Sequence, residues 1–88
     1  MFQYQAVQTG QVTVTGTATQ IVTAYSSRSG IVLINTGATT VYVGENASVT
    51  TSTGYPLLAS TSVSFSTTGA VYGITSGGSD LVGWLQTN

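Results

Sequence analysis

The chain has 88 residues, of which 41% are hydrophobic and 3% charged, with a net charge of −1. Its charged side chains are Arg28, Glu45 and Asp80, and it has no histidine or cysteine. One basic residue cannot make the several phosphate contacts that nucleic-acid binding needs. Missing histidine and cysteine remove the usual general base, disulfides and thiolate metal sites.

A mean hydropathy of +0.30, carried largely by β-branched residues, argues for a folded domain rather than a disordered tract. The length suits one small domain, residues 1–88, with a stability of order 5–10 kcal/mol as a lone monomer. No apolar run approaches the ~20 residues of a membrane helix. The first residues, "MFQYQAVQTG", lack the basic region and apolar core of a secretory signal. Neither a membrane nor a nucleic-acid partner is expected.

Ser, Thr, Gly and β-branched residues dominate, so no helix is expected. Strand patterns between turn signals predict strands at 3–8, 11–15, 18–25, 30–35, 39–43, 62–66, 69–75 and 80–86. The expected class is all-β: a small antiparallel sandwich or barrel of ~7–8 strands, with jelly-roll winding among the options. Residues 1–9 are read as an extended N-terminal arm or an edge strand, with Phe2 and Tyr4 docking onto a neighbouring subunit. "QVTVT" alternates Val12 and Val14 with polar residues, and "SVSFS" does the same with Val63 and Phe65. "TVTGTAT" places Thr13, Thr15, Thr17 and Thr19 at alternate positions, a threonine ladder if the strand runs straight.

Asn35-Thr36-Gly37-Ala38 reads as a turn in which Gly37 takes a positive φ, and Gly77-Gly78 as another. Residues 44–61 read as a long loop, with Pro56 stopping ladder pairing and Leu57-Leu58 pinning it to the core. "IVLI" at 31–34, "AVYGI" at 70–74 and "LVGWL" at 81–85 are apolar on both faces. In so small a domain, three two-sided strands imply that another chain covers some of the second faces. With so little charge, association is expected.

The chemistry-bearing residues point away from catalysis. Glu45 and Asp80 are the only carboxylates, and nothing places them across one bond. Serines and threonines are plentiful, but with no His or Lys they have no base to activate them. No catalytic, cofactor-binding or metal-ligating residue is assigned. Arg28, in "SSRSG", is suited to a bidentate pair with a carboxylate: Glu45, Asp80 or one on a neighbour. Tyr42, Tyr55 and Trp84 could stack on a sugar beside Glu45, or could fill an interface.

Residues 26–60, "SSRSGIVLINTGATTVYVGENASVTTSTGYPLLAS", and 71–86, "VYGITSGGSDLVGWLQ", carry a family resemblance. An arginine precedes an aliphatic strand ending in Asn-Thr-Gly, then come "VYVG" and "SVTTSTGYPL", then a tyrosine-containing strand and a closing strand. This pattern resembles a small all-β domain of tailed-bacteriophage structural proteins, and the likeness extends over about residues 11–86. Glu45 departs from it, standing where a small residue is expected after "VYVG".

The resemblance implies a non-enzymatic virion protein, a capsid decoration or cement protein or part of a fibre or tail. It would be made in the host cytoplasm, sit on the capsid surface, and contact the major capsid protein, fibre or tail proteins, or copies of itself. The expected contact residues are Phe2, Tyr4, Arg28, Tyr42, Glu45, Tyr55 and Trp84. The alternative is a carbohydrate-binding module or a receptor-binding domain of a fibre.

Overall fold

The structure is a computed structural model that describes residues 7–88. Most of the predicted 3–8 strand, with Phe2 and Tyr4, lies outside the described residues. Eight strands run in chain order: β1 (Val7–Val14), β2 (Thr19–Val22), β3 (Gly30–Asn35), β4 (Val41–Gly44), β5 (Tyr55–Leu57), β6 (Ser62–Phe65), β7 (Val71–Ile74) and β8 (Asp80–Thr87). They form two four-stranded sheets, ordered β1-β8-β3-β6 and β2-β7-β4-β5. Every pairing is antiparallel. This winding, with consecutive strands passed between two sheets, is that of a jelly roll.

The core between the sheets follows from alternation. Ile31 and Leu33 of β3 face inward with Val14 and Val82 of the same sheet, against Ile21, Val22, Val41, Leu57 and Val71 of the other. At strand spacing and a ~10 Å separation of sheets, one apolar side chain per inward position fills the gap. Gly73 faces inward too: a methyl built there would lie 2.9 Å from Ile21 Cδ1 and 3.0 Å from Val41 Cγ1.

Four local expectations change. The predicted strands 3–8 and 11–15 are one continuous strand from Val7, because Gly10 does not turn the chain. It sits opposite Trp84, and a methyl at Gly10 would meet the indole at 2.7 Å. A glycine within a strand here provides room for the ring.

The predicted 44–61 loop contains β5, whose Pro56 lies opposite Tyr42. β5 is an edge strand, where a missing N–H costs no ladder bond if that side faces away. Leu57 pins it as expected, 2% exposed, whereas Leu58 points to solvent.

Gly37 has no positive φ; among the described residues only Gly78 (φ 75°) and Ser60 (φ 62°) do. Gly37 is needed for space, because a methyl there would overlap the Asp80 carboxylate.

The threonine ladder is also broken. Thr13 ends up in one sheet and Thr19 in the other, and Thr15 and Thr17 form the crossing, bonded by Thr17 N–H donating to Thr15 Oγ1 at 3.3 Å.

Candidate assembly surfaces

The two sheets treat their outer faces differently. On the β2-β7-β4-β5 sheet, the chain covers part of its own surface. Residues 45–54 fold back so that Val49, 7% exposed, lies over Gly44. Gly54 sits against Tyr42, close enough that a methyl would meet its Cβ at 2.8 Å. Asn46 and Thr50 hold this segment: Ser48 N–H donates to Asn46 Oδ1 at 2.8 Å, and Thr50 N–H donates to Thr53 Oγ1 at 3.1 Å.

Among the described residues nothing covers the outer face of the β1-β8-β3-β6 sheet. In β3 the burial alternates, so Ile31, Leu33 and Asn35 are buried while Val32 and Ile34 are exposed. The β8 register places Leu85 beside Val32 and Gly83 beside Ile34, and Leu81 follows on the same side. Val32, Ile34, Leu81 and Leu85 are 37%, 43%, 39% and 38% exposed. Gly83 leaves a depression among them, in which a methyl would meet Ile34 Cγ2 at 3.1 Å. Thr9, Gln11 and Thr13 of β1 border this stripe on one side, and Ser62 and Ser64 of β6 on the other. No charged side chain stands on the strand positions of this face. A contiguous apolar stripe with an uncharged polar rim is the composition of a contact surface.

Sequence reasoning identifies β3 and β8 as two-sided but nominates aromatic and charged residues as the contacts. The legible signal for Val32, Ile34, Leu81 and Leu85 is the pair of apolar runs itself. Once alternate positions fill the core, the intervening ones must face outward.

The nominated residues are dispersed. Phe2 and Tyr4 lie outside the described residues. Tyr42 lies on the partly covered outer face, Tyr55 at the open side of the sandwich, and Trp84 inside, packed on the core. These three therefore share no sugar-stacking platform. Glu45 is exposed just past β4, whereas Asp80 is buried near the opposite end of that strand. Its Oδ2 accepts from Thr39 Oγ1 at 2.9 Å and from Thr39 N–H at 3.2 Å. The two carboxylates do not converge.

Arg28 departs most from expectation. It is 5% exposed, and its side-chain bonds go to an amide and to backbone carbonyls rather than to Glu45 or Asp80. Its Nε donates to Gln86 Oε1 at 2.7 Å, Nη1 to the carbonyls of Thr67 and Gly69 at 2.8 and 2.9 Å, and Nη2 to the Thr23 carbonyl. The segments that leave β2 and β6 present their carbonyls to the same point, and the guanidinium fork satisfies them together. It is an internal fastener in the single chain. Among the described residues no buried side-chain polar atom lacks a partner, and no group of three or more acidic, His or Cys side chains could hold a metal.

The architecture has a counterpart in a solved structure. That chain comes from work titled "Bacillus endospore appendages form a novel family of disulfide-linked pili"; it aligns over 96% of this chain and 83% of its own, with a TM-score of 0.64 and 17% sequence identity. The likeness is one of fold. The disulfides in that title have no counterpart here, since this chain has no cysteine. No family model and no curated protein sequence matches the chain. No helix among the described residues is long and apolar enough to cross a membrane.

Proposed function

We propose that this protein is a non-enzymatic structural subunit of an extracellular or virion assembly, joined to copies of itself or to other coat proteins through the outer face of the β1-β8-β3-β6 sheet. The stripe of Val32, Ile34, Leu81 and Leu85 carries the reading. Fully burying one such side chain is worth ~1.5–3 kcal/mol, so covering the exposed remainder of four is worth about 2–5 kcal/mol. Association costs at least roughly 4 kcal/mol in lost freedom. One such face therefore holds a neighbour only within a repeating array or alongside a second contact, the situation of a polymer or a coat.

Two finer readings are consistent with this role. The sequence resemblance over 26–60 and 71–86 supports a decoration or cement protein of a tailed-phage head. The shared fold supports a subunit of a surface appendage. Electron microscopy of the purified chain at rising concentration separates them. An appendage subunit forms filaments alone, and a cement protein stays as small oligomers that bind capsids. If the wild-type chain remains a monomer in both settings, the structural role fails. The paired substitution Val32→Thr with Ile34→Thr keeps β-branched side chains in β3, and it should abolish assembly while leaving the fold intact.

A further inference from the structure

The jelly roll is closed on one side, where β1 and β2 meet, and open on the other. There the edge strands β5 and β6 do not pair, and a cleft of about 340 Å³ runs into the sandwich. Val43, Val63, Phe65, Ala70 and Val71 make its apolar part. Val71 belongs to the buried core, and Val43, Val63 and Phe65 pack against it. The rest of the lining is Gly44, Glu45, Tyr55 and Thr67. Tyr55 is 59% exposed and Glu45 is exposed as well, so these two stand at the mouth. Apolar walls with a few polar groups, at this volume, are the make-up of a small-ligand site.

The polar groups differ in how far they are already engaged. Thr67 is held in place: its hydroxyl accepts from Gly69 N–H at 3.1 Å, and its carbonyl accepts from Arg28 Nη1 at 2.8 Å. Among the described residues, no hydrogen bond or ion pair engages the Glu45 carboxylate or the Tyr55 hydroxyl. The two are close in the fold, because Tyr55 pairs with Val43 and Glu45 lies two positions beyond Val43. A free carboxylate near an aromatic ring attracts a cation, through charge on one side and the ring quadrupole on the other. Behind them the apolar walls can take up a hydrocarbon body.

The side chains of this protein do not supply that cation. Its single basic residue is Arg28, and the guanidinium is spent on Gln86, Thr67, Gly69 and Thr23. Buried behind Thr67, it also offers no free donor at the mouth to receive an anion. Glu45 is therefore left to a charge from outside the chain.

We propose that the cleft between β5 and β6 binds a small organic cation, an alkyl- or arylalkylammonium. Its apolar body lies among Val43, Val63 and Phe65, and its ammonium group sits between Glu45 and the Tyr55 ring. This site is separate from the outer face of the β1-β8-β3-β6 sheet and does not depend on assembly through it.

Methyl NMR of the full-length wild-type chain tests it, with hexylammonium, 1-hexanol and hexanoate titrated at one ionic strength. The three probes share an apolar body and differ in the charge of the head. Hexylammonium should give saturable shifts of the Val43, Val63 and Val71 methyls. It should bind on the order of three- to thirty-fold more tightly than 1-hexanol, the gain of one exposed ion pair and one cation–π contact. Hexanoate should bind most weakly. Glu45→Gln keeps the shape of the side chain, so it should remove much of the preference and leave 1-hexanol binding as in wild type. Tyr55→Leu should lower what preference remains. Several results overturn the proposal: no saturable shift with any probe, equal binding of all three, a preference for hexanoate, or a preference for hexylammonium that survives Glu45→Gln unchanged. Methyl shifts that grow with protein concentration alone overturn it too, since a copy of the chain then fills the cleft. The sheet face is tested apart from this by Val32→Thr/Ile34→Thr, so either reading can fail without the other.

Discussion

Arg28 and Gln86, 58 positions apart, meet through a 2.7 Å hydrogen bond from Nε to Oε1 inside the molecule. Gln86 in turn donates to Gln8 Oε1, so the one basic side chain ties the turn before β3 to β8 and β1. Replacing Arg28 by Ala leaves three backbone carbonyls and the Gln86 amide oxygen without their donor. Buried unsatisfied groups cost about 1–3 kcal/mol each, with part regained from water entry. The expected loss is about 3–5 kcal/mol, a third or more of the stability of a domain this size. Urea denaturation of Arg28→Ala should show a midpoint well below that of the wild type, with Arg28→Lys in between because an ammonium cannot span the same fork. A midpoint unchanged in Arg28→Ala would show that these bonds contribute nothing net.

Gly37 and Asp80 form a second long-range pair, with no room for a β-carbon between them. Asn35 sets the turn around them. Its Nδ2 donates to the carbonyls of Thr39 and Leu57 at 2.7 and 2.9 Å, and its Oδ1 accepts from Gly37 N–H at 3.0 Å. Gly37→Ala should destabilise by roughly 2–4 kcal/mol through overlap and loss of the Asp80–Thr39 bonds. If the overlap is the cause, Asp80→Ala in the Gly37→Ala background costs less than it does alone. A double-mutant cycle should show at least ~1 kcal/mol of favourable coupling, and additive effects would refute the steric account.

Trp84 reports directly on Gly10. It is the only tryptophan, so its emission is free of interference. Gly10→Val places branched carbons where the indole lies, and the ring must swing toward solvent. Red-shifted emission and a loss of about 1–3 kcal/mol are expected from displacing a packed aromatic. Unshifted emission would mean that β1 moves instead of the ring.

Assembly should be insensitive to salt. The strand positions of the sheet face carry no charge, so screening has little to act on. Sedimentation at rising ionic strength should show the assembly intact, or strengthened where the salt is a sulfate that favours apolar burial. Dissociation in moderate sodium chloride would point to ionic contacts through Glu45 or another charge.

Sequence pattern by itself determined the class and most of the strands. Period-two alternation and an absence of helix formers leave only an all-β solution, and β3 at 30–35 is bounded by its own glycine and Asn-Thr-Gly turn. It also showed that β3 and β8 have two apolar faces, since a run of aliphatic residues in a strand must present both. Which face meets which surface was decided only in three dimensions, because strand order joins residues far apart in the chain. β8 enters between β1 and β3, bringing Leu81 and Leu85 beside Ile34 and Val32 and turning two runs into one stripe. The same long-range closure explains the misread positions. Gly37 looks like a turn glycine, and Gly10 falls in a gap between two predicted strands, because local sequence carries φ preferences but no record of Asp80 or Trp84. Arg28 looks like a surface anchor because its acceptors are mostly backbone carbonyls, which every residue has and no sequence pattern marks. Local propensity is written residue by residue, whereas space and hydrogen-bond acceptors exist only after the sheets have packed.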